Sequence, residues 1–140
     1  MSPPSPPSPP SGPPRGTNFS RRKLTHPLPP AGGLRSKYRD EQLQAVANWT
    51  RQQTNEVIVT GDLNITPWSP VFAEFLESSG LRNSAEGRGF GGTWPAFFPP
   101  MRIPIDHFLH TDEVIVTRRE VVKAEGSDHL PLVVEFAVRE

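Results

Sequence analysis

Four short segments of this chain carry polar residues suited to chemistry on a phosphate ester. They are Thr25-His26-Pro27-Leu28, Gly61-Asp62-Leu63-Asn64, Ile105-Asp106-His107 and Ser127-Asp128-His129. Aspartates, an asparagine and histidines suit a hard divalent cation, Mg²⁺ or Mn²⁺, with a phosphate beside it. In-line displacement at phosphorus needs chiefly a positioned water, a cation and donors to the nonbridging oxygens. Each segment alone is ambiguous. Asp62 and Asn64 equally suit a turn, because both residue types bond their own backbone. Asp106 lies inside the apolar run 103–109, and a buried carboxylate needs a partner. Its neighbour His107 faces the other way if the run is a strand. His129 is therefore the expected partner of Asp106, and His107 is expected to be structural. His110, beside Thr111-Asp112-Glu113, is expected to be exposed.

These segments need rigid elements to position them. Residues 36–53 read as a helix. Leu43, Val46, Ala47 and Thr50 recur at i, i+3, i+4 and i+7, and Asp40 and Glu41 sit early, where the helix dipole favours acids. Val57-Ile58-Val59-Thr60 reads as a buried strand that Gly61 ends. Ser69 followed by Pro70 predicts a second helix over 70–79, with Phe72, Phe75 and Leu76 as its apolar stripe and Gly80 as its stop. Residues 84–92 read as a loop. Residues 103–109, 114–123 and 132–138 predict three strands in series; in the last, Leu132, Val134, Phe136 and Val138 share one face. Strand ends of a parallel-type sheet converge, so the polar segments are expected to form one site. The order of elements predicts an α/β layered domain.

Of the 140 residues, 18 are proline, and eleven of those lie in residues 1–30. Residues 2–14, SPPSPPSPPSGPP, are biased to polyproline II and cannot form a core. Residues 1–23 are therefore expected to be a disordered Pro/Ser-rich tail, and residues 24–140 the folded domain. The PxxP spacing before Arg15 also fits a ligand for an SH3-like groove. Arg21, Arg22 and Lys23 read as a solvated linker. The formal charge is zero but polarised. Residues 1–39 hold seven Lys/Arg and no acid, whereas residues 40–140 hold eight basic and fifteen acidic residues. A uniformly basic nucleic-acid-binding domain is excluded. With no cysteine, disulfides, thiol catalysis and Cys-ligated zinc are excluded too. No apolar run approaches the roughly 18–20 residues of a membrane span. No signal-peptide core is present either, and the expected location is the cytoplasm.

THPLPP, GDLN, TWP, PIDH and GSDHLPLVVEF occur in this order. Together they resemble the second half of the endonuclease/exonuclease/phosphatase family, whose fold is like that of deoxyribonuclease I. The resemblance covers residues 24–140. It implies an α-β-β-α sandwich and Mg²⁺-dependent hydrolysis of phosphodiester or phosphomonoester bonds in substrates such as DNA, RNA, inositol phosphates and sphingomyelin. By the same resemblance, Asp62 positions or deprotonates the attacking water, and Asn64 holds that water and a phosphate oxygen. His129 contacts the phosphate, and Asp106 orients His129 and holds its charge. Asp128 lies near the metal, to which Asp62 is also assigned, and His26 stabilises charge building on phosphorus.

The family's first half supplies an early asparagine and the glutamate that is its main metal ligand. Residues 1–23 contain no counterpart of that glutamate. The expected fold is thus half of a four-layer sandwich: one mixed sheet covered by helices on one face. The other face, with Val134 and Phe136 or Val133 and Ala137, is expected to be uncovered and to drive self-association. The leading expectation is a metal-dependent phosphate-ester hydrolase. The alternative is a non-catalytic remnant or interaction module with a Pro-rich partner-binding tail. Nucleic acid is one substrate class, although the acidic core offers no polynucleotide track. Phe97 and Phe98, in a loop, are the candidates for substrate contact. Thr93-Trp94-Pro95 is expected to pack in the core.

Overall fold

The structure is a computed structural model that describes residues 33–139. The expected tail over 1–23 and His26 lie outside the described residues. The chain runs through helix α1 (Gly33–Arg51), strand β1 (Ile58–Asp62), helix α2 (Pro70–Ser79) and strand β2 (Arg82–Asn83). A 3₁₀ turn (Pro99–Met101) follows, then β3 (Asp106–His110), β4 (Val114–Val121) and β5 (Leu132–Val138). Among the described residues no helix is long and apolar enough to cross a membrane.

The helices form for the reasons their sequences suggest. Leu43, Ala47 and Thr50 of α1 are buried, and Val46 packs beside them. Asp40 does not serve the N-terminus. The first turn of α1 holds no acid, and Asp40 instead accepts two hydrogen bonds from Arg39, at 2.9 and 2.7 Å. In α2, Phe72 and Phe75 are buried. Ser69 precedes it without a side-chain cap; its backbone carbonyl accepts from Phe72 and Ala73. Gly80 ends α2 with φ 73°, a left-handed conformation that glycine adopts without strain. The Arg51 guanidinium donates to the carbonyls of Ser78 (2.7 Å) and Glu77 (2.8 Å). A cation there also answers the negative end of the α2 dipole.

The α/β class holds, with a difference in the sheet. Among the described residues all pairing is antiparallel and falls into two sheets, β1-β3-β2 and β4-β5, rather than one mixed sheet. The strand expected over 57–60 extends to Asp62, because Gly61 at φ 140° stays in the ladder opposite His107. The strand expected over 103–109 begins only at Asp106. Pro104 has no N–H to give the ladder, and Ile103 forms an isolated bridge to Trp94. β4 stops at Val121 and is broken by an irregularity between Val116 and Arg118. The two-residue β2 has no apolar alternation to announce it.

Successive residues of β3 serve opposite faces. Leu109 joins Val59, Phe72, Phe75, Leu43 and Ala47 in the core beneath the helices. Phe108 points the other way and packs with Val114 and Val116, against which Leu132, Val134, Val138 and Ile58 also lie. The β4–β5 hairpin thus covers part of the face that helices leave open. Its own outer side exposes Ile115 and Val133.

Candidate active site

Antiparallel pairing, not a parallel sheet, brings the acidic strand ends together. The C-terminal residue of β1, Asp62, is register partner of the N-terminal residue of β3, Asp106. Partners in an antiparallel ladder project to the same face. Both carboxylates therefore stand on the face opposite His107.

His129 completes the group from the loop before β5. Its Nδ1–H donates to Asp106 Oδ2 at 2.8 Å, and its Nε2 lies 3.8 Å from Asp62 Oδ2. The first is a charge-assisted hydrogen bond; the second is beyond hydrogen-bond range and is an ion pair once the ring is protonated. The side chains of Asp62, Asp106 and His129 are 10, 19 and 24 % exposed, enough for a substrate to reach an otherwise enclosed cluster. Burial opposes charge on His129. The Asp106 hydrogen bond and the charges of Asp106, Asp62 and Asp128 outweigh it and raise the imidazole above its ordinary value.

The surrounding backbone holds these groups in place. Asp62 Oδ1 accepts the Asn64 N–H at 2.8 Å, and Asn64 sits in the left-handed region at φ 50°. The two readings of Asp62-x-Asn64, turn and site, are thus not exclusive: one oxygen makes the turn while the other faces His129. Arg39 of α1 donates to the Asn64 carbonyl at 3.2 Å. Thr93, fully buried, accepts the Asp106 N–H on its hydroxyl (3.4 Å) and the Leu130 N–H on its carbonyl (2.8 Å). The Ala96 N–H donates to the Asp128 carbonyl at 2.8 Å. Arg39 carried no signal in the sequence, because nothing in helical spacing tells which arginine reaches a loop 25 residues away.

Other expectations fare unequally. His107 is buried and structural: its Nε2 donates to the Ile65 carbonyl at 2.7 Å and its ring lies 4.6 Å from that of Phe72. Burial lowers its pKa. His110 is buried, not exposed; its Nδ1 donates to the Thr111 carbonyl at 2.8 Å. Its place in β3, under pairing from both sides, accounts for this. Thr93 and Pro95 are in the core but Trp94 is exposed, since alternate residues of an extended segment face opposite ways. Asp128 is exposed beside the cluster, and Phe97 and Phe98 are exposed on their loop.

The described residues do not by themselves fit a resident divalent ion. Among them no three His, Asp or Glu side chains are placed to hold one. Asp106 is engaged by His129, and one oxygen of Asp62 by the Asn64 backbone.

The model of the Endonuclease/Exonuclease/phosphatase family matches residues 2–129. The chain belongs to this family, whose members are generally metal-dependent. No curated protein matches the chain in sequence. Among solved structures it is similar to an endonuclease/exonuclease/phosphatase from Beutenbergia cavernae, with a TM-score of 0.62, 22% identity, and coverage of 79% of this chain and 33% of that one. It is also similar to the Bacteroides thetaiotaomicron mannosyl-6-phosphatase (TM-score 0.55, 23% identity, 72% and 46% covered). The human Nocturnin catalytic domain, solved with a bound sulfate anion, gives a TM-score of 0.57 and 24% identity, with 78% and 44% covered. The chain thus spans less than half the length of each of these structures, and the likeness is one of fold.

Proposed function

We propose that this chain carries the Asp62–His129–Asp106 part of a phosphate-ester hydrolase site. The observation that carries the reading is the placement of His129 between two carboxylates that share one sheet face. Asp106 fixes the imidazole so that Nε2 is the atom presented to substrate, and its charge sustains the protonated ring. Protonated Nε2 donates to a phosphate oxygen. Asp62 orients the attacking water and takes its proton, while Asn64 holds that water and a second phosphate oxygen. His26 adds a further donor to the developing charge. Phe97 and Phe98 offer apolar contact to the group beyond the phosphate. Phosphodiesters and phosphomonoesters, nucleic acid included, are the substrate class. Asp62 and Asp128 are the residues that would meet Mg²⁺ or Mn²⁺, although they do not make a metal site by themselves. Self-association would run through the outer side of the β4–β5 hairpin.

The test is hydrolysis of bis(4-nitrophenyl) phosphate and 4-nitrophenyl phosphate in Mg²⁺ or Mn²⁺. Asp62→Asn and His129→Ala should each lower the rate about 10²-fold or more, the size of charge-stabilising effects. Rates unchanged by both substitutions would overturn the assignment. A wild-type chain with neither activity nor saturable metal binding would favour the non-catalytic alternative.

A further inference from the structure

The loop that delivers His129 has little packing of its own. Residues 123–128 are exposed, and Leu130 is the first buried residue after them. The two residues flanking His129 are tied instead to the extended segment 93–96. The Leu130 N–H donates to the Thr93 carbonyl and the Ala96 N–H to the Asp128 carbonyl, both at 2.8 Å. The aim of the imidazole at Asp106 therefore depends on what holds that segment.

Backbone pairing holds its first half. The Thr93 and Trp94 N–H groups both donate to the Ile103 carbonyl, at 3.0 and 3.1 Å, and the Ile103 N–H returns a bond to the Trp94 carbonyl at 2.6 Å. This pairing cannot continue past Trp94, because Pro95 has no N–H to give. Pro99 and Pro100 also lack one, so the loop is poor in donors while its carbonyls still need them. Arg102 supplies them. Its Nε donates to the Pro95 carbonyl at 3.4 Å, and its Nη2 donates to the Ala96 carbonyl. Gly92 gives the arginine room: a Cβ there would lie 2.9 Å from the Arg102 Cβ and 3.3 Å from its carbonyl carbon.

The Pro95 carbonyl and the Ala96 N–H belong to one planar trans peptide and point opposite ways. Arg102 thus holds one side of the peptide whose other side holds Asp128. A charged donor polarises the unit and strengthens the bond that leaves it. The guanidinium fork spans two carbonyls at once, which an ammonium cannot match.

We infer that Arg102 is a positioning residue for His129: by fixing the Pro95–Ala96 peptide, it fixes the Asp128 carbonyl and with it the imidazole on Asp106. Its effect on hydrolysis rests on the function proposed above. Its effect on the His129 loop does not.

The test uses the whole chain with Arg102→Met, which keeps length without donors, and Arg102→Lys, which keeps one charged donor. NMR gives solvent-exchange rates for the Ala96 amide and the His129 Nδ1–H. The His107 Nε2–H, bonded to the Ile65 carbonyl on the opposite face, is the internal control. In Arg102→Met the first two should exchange about tenfold faster or more while the control does not change, because bonds to a charged donor are worth that factor. Arg102→Lys should show the same pattern at smaller size, and it decides the matter if the methionine variant does not fold. With bis(4-nitrophenyl) phosphate, Arg102→Met should lower kcat about tenfold or more and leave KM within about twofold, because the arginine aims a group rather than meeting substrate. A wild type without activity contradicts the proposed function and leaves the exchange rates to decide this inference. Unchanged exchange at Ala96 and His129 would overturn it. So would faster exchange at Ala96 alone, an equal rise at His107, which marks general destabilisation, or an unaltered kcat in an active chain.

Discussion

Asp62 and Asp106 stand opposite each other at the end of the β1–β3 ladder, and His129 lies between their carboxylates. Two like charges on adjacent strands repel unless a cation separates them. A protonated His129 is such a cation. Replacing Asp106 by Asn removes the stronger of its two partners while preserving shape. The His129 pKa, followed by imidazole NMR, should then fall toward or below its ordinary value. A value unchanged by Asp106→Asn would mean that the hydrogen bond between them is not formed in solution.

Stability should carry the same signature. A raised histidine pKa favours the protonated ring in the folded state. Its contribution is therefore complete below the unfolded pKa of about 6.5 and is lost as pH rises through the folded value. Buried His107 has the opposite sign, its contribution being complete above about 6.5 and falling away in acid. Comparing wild type with His129→Gln cancels the His107 effect. The Tm gap between the two should be wider at about pH 6 than at about pH 9. A gap independent of pH would contradict the raised pKa.

Phe72 ties the helices to the strand that carries Asp106. It is 1 % exposed and its ring contacts that of His107. Phe72→Ala should cost about 3–5 kcal/mol, through lost transfer energy and the cavity left behind. Urea denaturation measures this directly, and a loss below about 1 kcal/mol would show that the site collapses freely.

The β4–β5 hairpin exposes Ile115 and Val133 at 41 and 39 %. Analytical ultracentrifugation should find self-association that the double variant Ile115→Lys/Val133→Lys abolishes. A monomeric wild type would remove this surface from consideration.

The sequence was most legible where one physical rule acts alone. Leu43, Val46, Ala47 and Thr50 lie on the α1 stripe that their spacing predicts, and β5 spans the expected 132–138. The pairing of Asp106 with His129 followed from strand alternation and the cost of burying a carboxylate. Where two rules compete, reading failed. Gly61 looked like a terminator, but its freedom in φ lets β1 continue and places Asp62 in register with Asp106. Pro104 lay inside an apolar run yet delayed β3. Long-range polar contacts left no trace in local pattern: Arg39 reaching Asn64 and Arg51 reaching the end of α2 depend on tertiary placement.

The central claim is that Asp106 acts through His129 as one unit facing Asp62. A double-mutant cycle on kcat tests it most directly, using Asp106→Ala, His129→Ala and the pair, with bis(4-nitrophenyl) phosphate as substrate. Residues that act as a unit are strongly non-additive. The account predicts that the double variant is no slower than His129→Ala within about threefold, while each single variant loses about 10²-fold. Independent, multiplying losses that take the double variant about 10⁴-fold below wild type would contradict it.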